Sequence, residues 1–467
     1  MEIISLKNWK AKTSQEKLAL RLIRILVKSG FPETYIVGGY VRDLLLKRKE
    51  TGAIDLATEA TPQQVSKIFR KQGFQVIPTG IKHGTVTVHH RTDDIEITTF
   101  RKEGKYIDWR RPKKVSFVTD PQTDSLRRDF TVNALYFDPL NKEIKDFQKG
   151  IKDLKQKRLR FVGSAEKRIK EDALRLLRAV RFVTVLGLRL ASADLKALKK
   201  HARLIKKISP ERIKQELDKI MLSPERARGV AMLFKLGLLA HIMPEVHELS
   251  RTPQSKNFHS EGDVLKHTIL ALSHLDANAD LTTSYGLLFH DLGKKVTLKK
   301  IRRQGRVHTT FHGHQDAGVK LALKIMKRLR FSNAEISDIT WYIKNHHVPY
   351  ELSKMRKGKQ MAWAMDRRFR NLLRLFRADS LASIPTDRKG RKLKPSLESY
   401  RYSLRVWKRA QKNKDLHKKL ISGHDVMRIL KLSEGPRVGE VLRKVREAQL
   451  AGRLKTKQDA IKFLKSV

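Results

Sequence analysis

The sequence predicts an α+β protein, in which a mixed α/β head precedes a largely α-helical remainder. Short β-like runs, separated by turn residues such as Pro78-Thr79-Gly80 and Asp138-Pro139, are confined to residues 1–150. From about residue 151 onward, apolar residues recur at helical spacing. The 467 residues, 40% of them hydrophobic, are enough for two to four domains with cores of their own.

The head is predicted to contain a mostly antiparallel sheet. Its candidate strands are Ile36-Val37, Ile54 to Ala57, Thr85 to His89, Ile95 to Phe100 and Val132 to Phe137. Gly38 and Gly39 follow the first of these, which indicates a strand entering a tight turn, and Val41 to Leu46 then reads as a helix. Two glycines lack Cβ atoms, so backbone N–H groups there can approach a phosphate closely.

The remainder is predicted to be helical in several segments. Glu166 to Val185 and Pro210 to Leu222 show helical periodicity, and Pro210 follows Ser209 as a first-turn proline follows an N-cap. Thr386 to Pro395 reads as a mobile basic link, and Tyr400 to Val467 as short basic helices. We divide the chain into a head (1–150), a helical neck and body (151–250), a third domain (251–385) and a basic helical C-terminal region (386–467).

The charge balance indicates a polyanionic partner. The formal net charge is +53, from 101 Lys plus Arg against 48 Asp plus Glu. Such an excess repels itself in the compact state, so nucleic acid explains it better than solubility or adaptation to a hot or salty habitat. Without cysteine there is no disulfide framework and no thiolate metal site. No signal core or bilayer-length apolar run is present, so we expect a cytoplasmic protein that binds no membrane.

Acidic residues on two candidate strands predict a magnesium site in the head. Residues 53 and 55 share one face of a strand, and Asp at both would form a two-pronged Mg²⁺ ligand; here only Asp55 is acidic and residue 53 is Ala. Glu96, on the strand Ile95 to Phe100, is a further candidate. Arg127 and Arg128 can each donate two hydrogen bonds to phosphate, although an isolated arginine pair is more often a solvated basic face.

Five blocks, taken in order, resemble the class II tRNA nucleotidyltransferases, the CCA-adding branch of a superfamily shared with bacterial poly(A) polymerases. They are Gly38 to Asp43, Ala53 to Thr58, Asp94 to Arg101, Arg127 to Ala134 and Glu171 to Arg175. The resemblance implies a nucleotidyltransferase (polymerase-β-like) head that adds CCA to tRNA from CTP and ATP, with Mg²⁺ held by Asp55 and Glu96. It also implies a set of nucleotide-binding residues: Gly38, Gly39, Arg42, Asp43, Arg127, Arg128, Asp129, Asn133, Glu171, Asp172, Arg175 and Arg178.

Base selection is expected from the fifth block. Glu171 and Arg175 stand four residues apart on a predicted helix, where the glutamate can brace the arginine, although ordinary helix salt bridges share this spacing. In the family, Asp and Arg of this motif imitate a Watson–Crick edge without a template. Arg101 to Pro112, with Gly104, Tyr106, Asp108, Arg110 and Arg111, resembles the flexible loop of enzymes that add the terminal A. Full CCA addition is therefore the first reading and addition of A alone the second.

Ala53 departs from the family pattern, which has Asp-x-Asp on this strand. The position would be expected to bridge two ions, so its loss leaves a metal short of a ligand. Glu50, three residues earlier, would not share the strand face. The alanine is explained either by a substitution that traps a substrate complex or by natural loss of activity. The alternative to an active enzyme is a catalytically silent tRNA-binding homologue whose third domain (251–385) is a metal-dependent phosphohydrolase.

A second pattern, rich in histidine, spans residues 256–385. It runs from Lys256-Asn257-Phe258-His259 through His267, His290-Asp291, His312-Gly313-His314 and His346-His347 to Asp379. It resembles an HD phosphohydrolase domain, as appended to some bacterial CCA-adding enzymes. The resemblance implies a divalent transition metal bound by His267, His290, Asp291 and Asp379, with His314 and His346 as candidate ligands of a second. Structural or solvated histidines are the alternative, above all for His259, His308 and His312. Phosphatase or 2′,3′-cyclic phosphodiesterase activity would follow by resemblance only.

Overall fold

A computed structural model describes residues 1–48, 52–104, 115–255, 259–303, 306–387, 389–412 and 418–466. The chain divides into two compact units. The N-terminal unit is Met1–Leu217 with Lys235–Ile242, and the C-terminal unit is Asp218–Phe234 with Met243–Val467. The large sheet lies in the N-terminal unit, and the described part of the C-terminal unit is helical apart from one hairpin. The predicted α+β class is thereby confirmed.

The strands are β1 (Glu2–Ser5), β2 (Thr34–Val37), β3 (Asp55–Thr58), β4 (Gln75–Gly80), β5 (Thr85–His90), β6 (Asp93–Thr99), β7 (Arg101–Glu103), β8 (Val115–Phe117), β9 (Leu135–Asp138), β10 (Glu143–Asp146), β11 (Arg158–Leu159), β12 (Arg189–Leu190), β13 (Lys299–Arg303) and β14 (Arg306–Thr310). Eight of them form one sheet in the order β1-β10-β9-β2-β3-β6-β5-β4. In this sheet β3 and β6 run parallel, and the other neighbours are antiparallel. The predicted mostly antiparallel head is confirmed.

Helices dominate after residue 150. They are α1 (Ser14–Lys28), α2 (Gly39–Leu45), α3 (Pro62–Lys71), α4 (Pro121–Ser125), α5 (Gly150–Lys155), α6 (Ala165–Glu171), α7 (Arg175–Leu186), α8 (Ser192–Lys200), α9 (Pro210–Leu222), α10 (Arg226–Lys235), α11 (Leu238–Ile242), α12 (Pro244–His247), α13 (Val264–His274), α14 (Leu281–Phe289), α15 (Lys294–Thr297), α16 (His314–Arg328), α17 (Asn333–Asn345), α18 (Val348–Glu351), α19 (Lys357–Ala364), α20 (Phe369–Ala382), α21 (Glu398–Lys412), α22 (Gly423–Leu430), α23 (Pro436–Leu450) and α24 (Lys457–Lys465).

Helices cover one face of the sheet of the head, and the other face is open to solvent only in part, because Tyr35, Val37 and Ala57 are buried there. Helices α1 and α3 pack against the sheet. Burial alternates along β6, with Ile95 and Ile97 buried and Glu96 exposed, as expected for a strand half covered by helices. The open face therefore carries Glu96 and the polar residues beside it.

One predicted strand is shorter than its sequence indicates. Val132 to Phe137 reads as a strand, but β9 begins at Leu135 because Thr131–Asn133 forms a 3₁₀ turn. Thr131 donates from Oγ1 to buried Asp153 at 2.6 Å, and its carbonyl lies so close to Gly150 that a Cβ there would overlap it. This tertiary contact overrides the local β-propensity.

The C-terminal helices α22, α23 and α24 share a small core of their own. Val426, Val441 and Val445 are buried in it, and Ile429, Leu430 and Leu442 pack against it. The apolar positions predicted from helical spacing thus face inward. In the described parts of the chain, every helix is too short or too polar to cross a bilayer.

Candidate functional sites

The glycine turn brings backbone beside the acidic face of the sheet. Gly38 follows β2 with a φ of +77°, a conformation that only glycine adopts without strain. A Cβ built on it would lie 3.8 Å from Arg128 Nη1 and 4.0 Å from Asp55 Oδ2. The turn therefore places main-chain N–H groups next to one acidic and one basic side chain.

Asp55 and Glu96 lie side by side because β3 and β6 are parallel neighbours and these two residues are register partners. Both residues are exposed on the open face. Desolvation of the Asp55 carboxyl by its neighbours and the negative charge of Glu96 raise the pKa of Asp55 to about 6. Two neighbouring carboxylates repel each other, and a divalent cation bound between them removes that repulsion.

The carboxylates fit one magnesium ion better than two. Ala53 is exposed and lies two residues before Asp55, the first residue of β3. Position 53 therefore offers no third carboxylate beside Asp55 and Glu96. In the described part of the N-terminal unit, no group of three potential metal ligands is found. Mg²⁺ is commonly held by one or two carboxylates together with water and substrate phosphates, so Asp55 and Glu96 suffice for one ion.

Asp124 holds the two adjacent arginines in place. It is fully buried, and it accepts hydrogen bonds from Arg127 Nε at 2.7 Å, Arg128 Nη2 at 3.3 Å and Tyr136 Oη at 2.7 Å. Burial alone would raise its pKa, but the two arginines hold the pKa of Asp124 at about 2. Our sequence reading missed this residue, although its spacing of three and four from the arginines is the signal that identifies it.

Asp129 is the centre of a second polar network. It accepts from Arg178 Nε at 2.7 Å and from Asn133 Nδ2 at 3.1 Å. Asn133 in turn accepts from Arg42 Nη1 at 2.6 Å, and Arg42 forms a two-bond pair with Asp43. The fold thus joins residues from β2–α2, the segment before β9 and α7.

The segment predicted to select the base departs from the single helix that we predicted over Glu166 to Val185. Helix α6 ends at Glu171, and α7 begins at Arg175. Asp172 is extended (φ −138°, ψ 107°), and its Oδ1 accepts from the N–H of Leu174 at 3.0 Å, so a local side-chain bond replaces the helical one. The continuous helix was wrong.

The predicted pairing inside this segment is nevertheless present. Arg175 Nη1 lies 2.7 Å from Glu171 Oε2, and its Nη2 donates to the carbonyl of Arg127 at 3.2 Å. Arg212 donates to Asp172 Oδ2 at 3.0 Å. The bend brings the hydrogen-bonding ends of Asp172 and Arg175 to the junction between the two helices.

A cavity of about 850 Å³ adjoins the arginine pair. Its lining residues include Lys102, Glu103, Gly104, Arg127, Lys167, Arg168, Lys170 and Glu171. The predicted loop reaches this cavity at Gly104, whereas Tyr106, Asp108, Arg110 and Arg111, like Glu50, lie outside the described residues. The cavity is wide enough for a nucleotide, and its lining carries more basic than acidic side chains.

Three family models match parts of this chain. The profile described as "Poly A polymerase head domain" matches residues 34–160, one described as "Probable RNA and SrmB- binding site of polymerase A" matches 187–249, and one described as "tRNA nucleotidyltransferase domain 2 putative" matches 317–464. A glycine turn, a carboxylate pair and an arginine shell on this sheet define a nucleotidyltransferase.

The relatives give the narrower family. A CCA-adding enzyme of Streptococcus uberis is 32% identical over 444 residues, covering 95% of this chain and 94% of the relative. The structure of the Bacillus stearothermophilus CCA-adding enzyme in complex with CTP aligns with a TM-score of 0.66 at 25% identity, covering 97% of this chain and 98% of that one. The Thermotoga maritima enzyme in complex with tRNA shares the fold at 18% identity, with a TM-score of 0.63 over 100% of this chain and 99% of that one. The chain belongs to the family of CCA-adding enzymes.

The C-terminal unit brings the predicted HD residues together. Asp379 Oδ1 lies 2.9 Å from His267 Nε2 and 3.4 Å from His290 Nε2, and Asp291 Oδ2 lies 3.2 Å from His290 Nε2. All four residues are buried. Burial would raise the pKa of Asp379, but its histidine partners hold that pKa well below the ordinary value. His314 and His346 lie in the same cluster, with their Nε2 atoms 3.3 Å apart.

The sequence analysis gave no role to two residues that contact the predicted ligands of this cluster, Glu261 and Lys294. Glu261 accepts from both His259 and His267 at 2.8 Å, so His259 contacts the carboxylate that orients a predicted ligand. Lys294 Nζ lies 2.6 Å from Asp291 Oδ2. His312 is exposed and outside the cluster, and the side chain of His308 lies outside the described residues, as do Lys256 to Phe258.

Gly293 allows two backbone segments of the cluster to lie in contact. A Cβ there would overlap the carbonyl oxygen of His314 and come within 2.6 Å of the N atom of Gly318. Backbone after the HD pair and backbone at the start of α16 are therefore in direct contact. The hairpin of β13 and β14 connects these two points along the chain.

Proposed function

We propose that this chain adds CCA, or its terminal A, to the 3′ ends of tRNA from CTP and ATP. The observation that supports this most is the register pairing of Asp55 and Glu96 beside Gly38 and Arg128. The relatives named above, one bound to CTP and one to tRNA, are consistent with the same substrates. The net charge of +53 supplies a sequence-independent grip on the tRNA phosphates.

The reaction is an in-line displacement at phosphorus. The 3′-hydroxyl oxygen of tRNA forms a bond to the α-phosphorus, the bond to pyrophosphate breaks, and the hydroxyl proton is released. Arg127 and Arg128, fixed by Asp124, neutralise phosphate oxygens on the leaving side. Asp172 and Arg175 offer an acceptor and a donor to the edge of the incoming base. Mg²⁺ on Asp55 and Glu96 would neutralise developing charge and acidify the attacking hydroxyl.

Ala53 lowers the expected rate. Loss of one bridging carboxylate costs about 3–6 kcal/mol of barrier, or ~10²–10⁴-fold in rate. The test is incorporation of labelled CTP and ATP into tRNA lacking CCA, comparing this chain with its Ala53→Asp variant. Ala193→Asp is the matched control, because it adds the same carboxylate at an exposed position of helix α8, outside the sheet that carries Asp55 and Glu96.

Recovery of strong incorporation by Ala53→Asp but not by Ala193→Asp supports the proposal. If no form incorporates nucleotide while all bind tRNA, the head is a binding module, as in the silent-homologue alternative. Incorporation of A but not C would identify the chain as an enzyme of A addition alone.

A second activity is proposed for the C-terminal unit, on the separate observation that His267, His290, Asp291 and Asp379 converge in one buried cluster. These imidazole and carboxylate ligands fit a divalent transition metal, which would supply an activated water for phosphoester hydrolysis. His314 and His346 are candidate ligands of a second ion. Glu261 orients His267, and Lys294 is placed to meet a phosphate oxygen.

Phosphate release tests this activity. The chain, loaded with Mn²⁺, Ni²⁺, Co²⁺ or Zn²⁺ in turn, is assayed on a nucleoside monophosphate and on a 2′,3′-cyclic nucleotide. We expect metal-dependent hydrolysis that His290→Ala abolishes and the exposed His312→Ala leaves unchanged. Equal rates for the two variants, or hydrolysis without added metal after chelation, would contradict the proposal.

A further inference from the structure

Asp172 lies in the break between α6 and α7, and both of its carboxylate oxygens accept hydrogen bonds. Oδ1 accepts from the N–H of Leu174 at 3.0 Å, and Oδ2 accepts from Arg212 Nη2 at 3.0 Å. The first bond is local, whereas the second comes from helix α9, 40 residues further along the chain. Because the two donors belong to different parts of the fold, together they fix the direction in which the remaining lone pairs of the carboxylate point.

Arg175 is held in a similar way at the other side of the break. Its Nη1 donates to the carbonyl of Arg168 at 2.9 Å and to Glu171 Oε2 at 2.7 Å, and its Nη2 donates to the carbonyl of Arg127 at 3.2 Å. These bonds use three of the five N–H groups of the guanidinium. The other two, on Nη2 and Nε, have no acceptor among the described residues and are left for a base.

The two side chains have opposite hydrogen-bonding character, which divides the four bases into two pairs. On the Watson–Crick edge, cytosine and adenine present an amino donor beside a ring-nitrogen acceptor, whereas uracil and guanine present a carbonyl acceptor beside a ring N–H donor. A carboxylate that accepts and a guanidinium that donates match cytosine and adenine. Uracil and guanine would fit only if the carboxylate could move to meet the ring N–H, so selection depends on how firmly Asp172 is held.

The contact between Arg212 and Asp172 has little value for stability alone. The two side chains are 23% and 20% exposed, and an ion pair near the surface contributes little to folding. Arg212 Nη1 is buried and has no hydrogen-bond partner among the described residues, which opposes folding. Orientation of the Asp172 carboxylate therefore explains the contact better than stabilisation of α9 does.

We propose that Arg212 is a positioning residue that sets the selection of C and A over U and G by holding the Asp172 carboxylate in place. The inference rests on the proposed role of Asp172 and Arg175 at the edge of the incoming base. Our sequence reading placed residue 212 in a helix and gave it no role. In a chain with 101 Lys plus Arg, only the contact identifies it.

Calorimetric titration with CTP, ATP, UTP and GTP in the presence of Mg²⁺ tests this role without tRNA, so no nucleotide transfer is needed. The readouts are the ratio of the Kd for UTP to that for CTP and the ratio of the Kd for GTP to that for ATP. Any effect on triphosphate binding cancels in these ratios. Arg212→Gln should lower both ratios about tenfold. Arg212→Lys keeps a charged donor and should retain most of each ratio.

Arg181→Gln is the matched control. Arg181 on α7 pairs with Glu216 on α9, with Nε 2.9 Å from Oε2, so this variant removes another arginine–carboxylate contact of α9 and leaves Asp172 intact. It should leave both Kd ratios unchanged. Circular dichroism monitors the folding of every variant.

Asp172→Glu tests the same inference from the other partner. It keeps the negative charge but moves the carboxylate by one methylene from Arg212 and the Leu174 N–H, so both Kd ratios should fall as they do in Arg212→Gln. This variant decides the question if Arg212→Gln fails to fold. In an Asp172→Ala chain, Arg212→Gln should change the ratios no further, because Arg212 acts through Asp172.

Four results would overturn the inference. They are unchanged Kd ratios in Arg212→Gln, equal falls in Arg212→Gln and Arg181→Gln, full ratios in Asp172→Glu, and a further fall when Arg212→Gln is added to Asp172→Ala. The last result would show that Arg212 contacts the base itself.

Incorporation of nucleotides into tRNA separates this inference from the proposed activity. A chain that prefers CTP and ATP in the titrations but incorporates neither would retain the role of Arg212 and remove the activity. Incorporation of C and A with a preference that does not depend on Arg212 would retain the activity and remove the inference. Equal affinity for all four nucleotides would remove the inference, and binding of none would remove the nucleotide site as well.

Discussion

Replacing Asp124 by Asn should destabilise the head and weaken nucleotide binding together. The carboxylate is fully buried and is the shared acceptor of Arg127, Arg128 and Tyr136. Asn has the same shape but no charge, and its NH₂ group would face donors. The guanidinium groups of Arg127 and Arg128 would then lose their common counter-charge.

The magnitude follows from the pKa of Asp124, which lies at about 2 against an ordinary value of 3.8. That difference corresponds to about 2 kcal/mol of stability for the charged carboxylate, and stranding a buried partner charge adds to it, so we expect a loss of about 2–4 kcal/mol. Because the pKa is lowered, the contribution is complete above about pH 4 and is lost as the pH falls through 2.

Hydrogen exchange followed by mass spectrometry measures the loss in peptides from α4 and β9, and calorimetric titration measures CTP binding, which should weaken about tenfold. Asp120→Asn is the matched control: it changes an exposed carboxylate that caps the same helix, and Asn caps as well as Asp. If Asp124→Asn protects these peptides as well as Asp120→Asn does, the reasoning about Asp124 is refuted.

Three further predictions concern the head. Protons compete with Mg²⁺ for Asp55, whose pKa is raised to about 6, so the Mg²⁺ concentration for half-maximal incorporation should rise about tenfold for each pH unit below 6; a constant requirement would contradict this. Arg175→Lys keeps the charge but loses the fork that reaches Glu171 and the Arg127 carbonyl, so incorporation of CTP and ATP should fall about 10–100-fold, while the exposed Arg203→Lys should have no effect in the same assay. Gly38→Ala and Gly30→Ala both place a Cβ at positive φ, and each should lower the free energy of unfolding by about 1–2 kcal/mol. Only Gly38→Ala should weaken CTP binding in a titration. Equal CTP binding by the two variants would exclude the glycine turn from the nucleotide site.

Periodic features of the fold were predictable from sequence. Helix α9 spans Pro210–Leu222 as its apolar spacing and first-turn proline indicate, and Val441 and Val445 are buried where helical spacing places them. Features that depend on a single side-chain contact were not predictable from the sequence. The break between α6 and α7 depends on one bond from the Leu174 N–H to Asp172, and the late start of β9 depends on Thr131 packing against Gly150.

The candidate sites also contain residues that the sequence predicts and residues that only a contact in the structure reveals. Motif order led us to predict residues such as Asp129 and His290, and the structure places each of them in a polar network. The supporting residues Asp124 and Glu261 were missed, since an aspartate near two arginines or a glutamate near a histidine is common in any sequence. The distances that place His347 beside His314 and His346 come only from the folded chain.

The contact at Gly293 joins the two ends of the segment that contains the β13–β14 hairpin. The backbone of Gly293 lies against the His314 carbonyl, so this contact holds the segment that carries Asp291 beside the segment that carries His314. Closing a flexible loop costs only about 0.6 kcal/mol for each doubling of its length. We therefore expect the histidine cluster to keep its geometry when the hairpin is shortened or lengthened.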